Sequence, residues 1–179
     1  MTVTPSSPDH RMDDASPWIV RWAGLVRPGG SVLDLACGAG RHSRWFARRG
    51  HPVTAADRDR TIADWASRET GVVSVVADLE GGPWPFTGRQ FDAVVVTNYL
   101  HRPLFTAILD SIAPGGVLMY ETFAVGNERF GKPSNPAFLL RHGELLEVVQ
   151  GQLRIVAYED VELAGPRPAM VQRIVAMRD

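Results

Sequence analysis

The sequence predicts an α/β fold: a doubly wound, mostly parallel sheet with helices on both faces and an antiparallel C-terminal hairpin. Three observations carry this. Short Val-rich apolar runs recur through the first two thirds of the chain. Helical segments with start and stop signals separate them. Two strand-patterned runs then close the sequence around a Gly-Pro turn.

The runs are SVLDLA (31–36), PVTAAD (52–57), VVSVVA (72–77), FDAVVVT (91–97) and GVLMYET (116–122). Each is too short for a free-standing helix, so buried parallel strands are expected. Ser16-Pro17 caps and opens a helix to about Arg27, which Pro28-Gly29-Gly30 ends. Helices are expected at 41–49, closed by Gly50, and at 59–69, opened by Asp59. A fourth spans 103–113, with Pro114-Gly115-Gly116 as its stop, and 137–150 is weakly helical. The runs 153–163 and 169–177, joined by AGPRP, form the antiparallel hairpin. With no repeat and no interior linker, one domain over 16–179 is expected, after a Pro-, Ser- and Asp-rich tail (1–15) expected to be disordered.

Composition narrows the function. The 179 residues are 45% hydrophobic and 22% charged, ordinary for a soluble domain, and a formal charge of -1 gives no pull toward nucleic acid or anionic lipid. No apolar run spans a bilayer, and the first residues lack the basic and apolar regions of a signal peptide. The single Cys37 fits a reducing compartment, and the five His show no metal-ligand spacing. A cytoplasmic, metal-free protein is expected.

The most informative stretch is VLDLACGAGRHS, a strand, a Gly-x-Gly turn and a helix start. Gly38 and Gly40 permit positive φ and close backbone approach beside free helix N–H groups. Such a turn is Rossmann-like and suits NAD, FAD or adenosyl ligands. A dinucleotide fingerprint would carry its third glycine where Ser43 stands. Asp34, inside the apolar strand, points the same way. A buried carboxylate costs several kcal/mol unless hydrogen-bonded, and it suits a ligand whose nearby group is cationic. Its other reading is a tie for the loop's own N–H groups.

Asp57 ends the second strand, 17 residues past Gly40, where an acid accepts from ribose hydroxyls. The alternative is a helix cap, a task Asp59 fills better. Asp78 ends the third strand, 21 residues further, and suits an exocyclic amine, with the Leu79 N–H facing a ring nitrogen. It reads equally well as a turn former. Three acids thus stand at the carboxyl ends of three successive strands, the edge where open α/β sheets bind ligands.

In order and spacing, VLDLACGAGRHS, VTAADRD, VVADLEGGPWPF, FDAVVVTNYL and IAPGGVLMYETF resemble the motifs of class I S-adenosylmethionine-dependent methyltransferases, in particular small bacterial ones. The resemblance covers roughly 18–123 and implies a seven-stranded sheet with a reversed last strand. It implies that Asp34, Ala36, Cys37, Gly38 and Gly40 hold the methionine portion. Asp57, with Arg58 beside it, takes the ribose, and Asp78 with Leu79 takes the adenine. Thr97 and Asn98 complete the set. Cys37 reads as a small residue in a tight loop.

The implied reaction is methyl transfer from S-adenosylmethionine to a small-molecule acceptor, giving S-adenosylhomocysteine. The donor is already activated, so alignment supplies most of the rate. The reference pKa of histidine suits a general base, which makes His101 a candidate, and Glu121 stands where it would orient an amine; a surface or capping His and a structural carboxylate are the alternatives. Asn98-Tyr99 lacks the two prolines of nucleic-acid amino-methyltransferases, which disfavours RNA or DNA as acceptor, and the Arg41, Arg44, Arg48 and Arg49 face reads as solvated. The Trp residues at 18, 22, 45, 65 and 84 read mainly as packing, with Trp18 and Trp84 also candidates to border the cleft, and the polar segment 126–136 is a candidate lid or a plain connection. Rival functions are a nicotinamide oxidoreductase, a non-catalytic adenosyl-binding module, and methylation of RNA or protein.

Overall fold

Strands β1 (Val32–Leu35), β2 (Val53–Asp57), β3 (Val72–Val76), β4 (Phe91–Thr97), β5 (Ile112–Phe123), β6 (Arg154–Leu163) and β7 (Ala169–Met177) form one sheet in a computed structural model. The structure describes residues 14–179. The strand order is β3-β2-β1-β4-β5-β7-β6. The first five are parallel, and β7 pairs antiparallel with both β5 and β6. The expected mixed sheet is therefore present, with seven strands. Its order reverses between β1 and β4, which opens the ligand crevice of such sheets at their carboxyl tips.

The helices are α1 (Pro17–Trp22), α2 (Arg41–Ala47), α3 (Thr61–Ala66), α4 (Phe105–Asp110) and α5 (Glu144–Val149). Each is shorter than its sequence signal, because the ends tighten into turns. Ala23–Leu25 and Arg102–Leu104, for example, are 3-10 turns. Ser16 caps α1 as expected, its hydroxyl accepting from the Trp18 N–H at 3.2 Å. Of the expected tail, residues 1–13 lie outside the described residues, while Asp14 and Ala15 lead into this cap.

Alternate residues of the central strands feed two cores, as strand pleating requires. Leu33, Leu35, Val94, Val96, Tyr120 and Ile174 pack with α4 and α5, whereas Val32, Val95, Met119 and Val175 pack with α1 and α2. Two expectations need correction. The run 72–77 is an edge strand, so Val73 is 64% exposed rather than buried on both faces. Pro114-Gly115-Gly116 does not separate a helix from a strand. Ile112 already pairs with Phe91, and the Pro-Gly-Gly segment bulges before Val117 pairs with Ala93. The Gly115 N–H and Gly116 carbonyl bond to the backbone of Arg178, which draws the segment into β5.

Candidate cofactor site at the carboxyl edge

The glycine turn follows β1 directly. Ala36, Gly38 and Gly40 all have positive φ (53, 53 and 75°), and the Cys37 N–H donates to the Ala56 carbonyl at 3.0 Å, tying the turn to β2. Glycine is demanded most strongly at position 40. A Cβ there would lie 2.2 Å from the Trp65 ring, so the close approach is to α3. Ala36 is the unexpected member, since an L-residue in this region costs about 1–2 kcal/mol. Burial raises the Cys37 thiol, which agrees with a packing role.

Asp34 is 1% exposed. Its Oδ2 accepts from the Ser43 hydroxyl at 2.6 Å, while Oδ1 is buried with no partner among the described residues. Burial pushes this carboxyl up to about 6, against the pull of Ser43 and the Arg41 charge. A tie to the loop N–H groups, the other reading of Asp34, is made by Asp57. Its Oδ2 accepts from the Gly38 N–H at 2.8 Å and its Oδ1 from the Asp59 N–H at 3.0 Å. Asp59 accepts from the Thr61 N–H at 2.9 Å, one residue before the cap position of α3, which Arg60 holds with no side-chain cap bond.

Asp78 forms the turn that was its alternative reading. Oδ1 accepts from the Glu80 and Gly81 N–H groups at 3.0 and 3.1 Å, and these bonds, Gly81 first, hold the acid below the usual carboxylate range. Leu79 is buried beside it. The three strand-tip acids are therefore brought to one edge, and two of them also shape their own loops. Arg58 and His101 both lie close enough to Asp78 to act on it, and the Arg58 charge favours its ionised form.

At the tip of β4, Thr97 is half-buried and Asn98 adopts φ 54°. The Asn98 N–H donates to the Glu121 carbonyl at 2.9 Å. Tyr99, which the sequence did not single out for the cofactor, has a buried hydroxyl with no partner among the described residues. Burial first, then the charges of Glu80 and Asp78, push it up to about 12. Glu121 is 8% exposed, and both its oxygens are engaged. Oε1 accepts from the Ser16 hydroxyl at 2.7 Å and Oε2 from Arg173 at 3.3 Å.

Sequence reasoning missed His42. It is 1% exposed at the first turn of α2, between the Ser16 N–H (3.0 Å) and the Thr97 hydroxyl (3.4 Å). Burial drives its pKa down to about 3, so it is neutral. Only a polar residue on an otherwise buried helix face marked it. Trp18 packs, as its main reading has it, buried in the second core under the Arg173 guanidinium, 4.6 Å from its ring. Trp84 is half-buried against Phe86. In the 126–136 segment, buried Asn127 donates to the Pro133 carbonyl and accepts from the Met170 N–H. Arg102 clamps the segment that follows, bonding to Glu144 at 2.6 and 2.9 Å and to the Ala137 and Leu139 carbonyls.

Two surface hollows, of about 360 and 450 Å³, lie away from this edge, at 151–154 with Arg178 and at the amino ends of the first strands. Among the described residues no three His, Cys, Asp or Glu side chains gather as metal ligands, and no helix is long and apolar enough to cross a membrane.

The strand order, the glycine turn and three strand-tip acids define a Rossmann-like fold with a candidate ligand site at its carboxyl edge. Residues 32–116 match the family profile described as a methyltransferase domain. Over 108 residues the chain is 33% identical to malonyl-[acyl-carrier protein] O-methyltransferase of Serratia marcescens, an alignment covering 58% of this chain and 42% of that one. The chain thus spans less than half the length of this curated relative. TehB of Haemophilus influenzae has a similar fold, with a TM-score of 0.75 at 17% identity, covering 92% of this chain and 63% of that one. So does the Burkholderia thailandensis 1,6-didemethyltoxoflavin-N1-methyltransferase with bound 1,6-didemethyltoxoflavin and S-adenosylhomocysteine. Its TM-score is 0.65 at 21% identity, covering 90% of this chain and 76% of that one. Residues 32–116 thus resemble a methyltransferase domain, and the chain shares its fold with methyltransferases of known structure.

Proposed function

We propose that the chain transfers the methyl group of S-adenosylmethionine to a small-molecule acceptor and releases S-adenosylhomocysteine. The carrying observation is Asp34, a fully buried carboxylate with one oxygen unpartnered. A buried acid of this kind is stabilised by a cation, and the donor's α-amino group is one. A diphosphate ligand would instead add negative charge beside it, which argues against the nicotinamide alternative.

When bound, the donor supplies a methyl group on a sulfonium, already activated toward a nucleophile. The protein's work is binding and orientation. Asp57, anchored to Gly38, presents carboxylate lone pairs to the ribose diol, and Asp78 with the Leu79 N–H receives the adenine. His101, half-buried at the tip of β4, is the candidate base for an acceptor that arrives protonated. Glu121, held by Ser16 and Arg173, we assign to orienting the edge rather than to proton transfer.

A small-molecule acceptor is supported by the net charge of -1, by the missing prolines after Asn98, and by the small acceptor named for the Burkholderia neighbour. The test is a transfer screen with tritium-methyl-labelled donor against a small-molecule extract, an RNA pool and a protein lysate. Label in the small-molecule fraction is expected. Label only in macromolecules would overturn the acceptor class, and donor binding without any transfer would favour an adenosyl-binding module.

A further inference from the structure

The backbone N–H of Ser16 can only donate, so Nε2 of His42 is its acceptor at 3.0 Å. A neutral imidazole then carries its proton on Nδ1, which faces the Thr97 hydroxyl at 3.4 Å. Thr97 is thereby cast as acceptor toward His42, and its own O–H is left to donate elsewhere. On the other side Ser16 donates its hydroxyl to Glu121 at the tip of β5, and the carbonyl of Asp14 accepts from Arg41 at 3.4 Å. The segment Asp14–Ser16 thus bridges the first turn of α2, directly after the glycine turn, and the tips of β4 and β5. His42 is the member that touches both this segment and a predicted cofactor contact. None of these bonds is needed to build the sheet, whose order is set by backbone ladders.

We infer that His42 is a positioning residue for the cofactor site: it couples the seating of the Asp14–Ser16 segment to the aim of the Thr97 hydroxyl, so that ligand binding and seating strengthen one another. This rests on the methyl-donor reading above. Coupling of this kind is reciprocal. If the seated segment favours the ligand, the ligand must hold the segment by the same factor. The imidazole serves only while neutral, and its 1% exposure secures that, since a proton on Nε2 would oppose the Ser16 N–H.

The experiment uses the full chain and S-adenosylhomocysteine as the probe, read by calorimetry and by amide hydrogen exchange. Binding to the unaltered chain is expected to slow exchange at Ser16 and at Val20, whose N–H donates to the Ser16 carbonyl. His42→Leu should weaken the probe at least tenfold. His42→Gln, which keeps one acceptor and one donor, should stay within threefold. Because His42→Leu risks misfolding, the unaltered chain supplies a second measurement. Imidazole nitrogen shifts should report a proton on Nδ1 that does not titrate between pH 5 and 8. Exchange at Ser16 untouched by the probe, an imidazole titrating in that range, or a folded His42→Leu chain binding like the parent would each overturn the inference while leaving the methyl-donor reading intact. An unaltered chain that fails to bind the probe at all would overturn both.

Discussion

Ser43 donates to Oδ2 of Asp34 at 2.6 Å, while Oδ1 of the same buried carboxylate has no partner among the described residues. A charge kept in this way works against the fold and for the ligand. The folded-state value of about 6 lies above the ordinary 3.8, so the fold favours the protonated form. The penalty is full above pH 6 and disappears as pH falls toward 4. Asp34→Asn should therefore raise unfolding stability at pH 7.5 by about 1–3 kcal/mol, allowing for the new amide's own burial. The same variant should bind S-adenosylhomocysteine at least tenfold more weakly. Denaturant titration and calorimetry check the two halves, and a variant less stable than its parent would show that Asp34 is a structural tie.

Ligand affinity should follow the same group. Protonated Asp34 cannot pair with an ammonium, so affinity for S-adenosylhomocysteine should fall as pH drops from 7.5 to 5, with its midpoint near 6. A flat profile would remove Asp34 from the ligand's surroundings.

His42 has the opposite sign. Its folded value of about 3 lies below the ordinary 6.5, so its stabilisation is present above pH 6.5 and is lost as pH falls toward 3. His42→Gln, which does not titrate, should lose less stability than the parent between pH 6.5 and 4. Parallel stability curves for the two proteins would contradict the assignment.

Asp57→Ala removes the acceptor of the Gly38 N–H and the proposed ribose ligand together. Calorimetry with S-adenosylhomocysteine should show a loss of about 1–3 kcal/mol in binding, the cost of leaving such polar groups unpaired. Unchanged affinity would confine Asp57 to shaping the turn.

Gly40→Ala should destabilise the fold by about 2–4 kcal/mol, through its positive φ and the clash with Trp65. Adding Trp65→Ala should recover part of that loss, and a double-mutant cycle measures the recovery. Strict additivity would mean that the contact is absent in solution.

Local signals made most of this legible. Strand runs, the Gly-x-Gly turn and the hairpin each announce themselves within a dozen residues. Asp34 was visible because a charge in an apolar strand is costly without a reason. What stayed hidden depends on residues distant in sequence. Ser16 and Glu121 are 105 positions apart, and nothing local shows that Ser16 caps a helix and also holds an acid at the tip of β5. His42 and Arg173 were hidden for the same reason. The Pro-Gly-Gly bulge was misread because the backbone of Arg178, just past the end of β7, satisfies it. Asp57 and Asp78 carried two readings each, since a carboxylate has lone pairs enough for a loop N–H and a ligand.

A buried negative strand tip receiving a cationic nucleoside is the central feature of the proposed site. Parallel calorimetric titrations of the full chain with S-adenosylhomocysteine and with NAD test it most directly. One S-adenosylhomocysteine per chain, bound at least tenfold more weakly by Asp34→Asn, and no heat with NAD is the predicted outcome. Saturable NAD binding with no response to S-adenosylhomocysteine would contradict it.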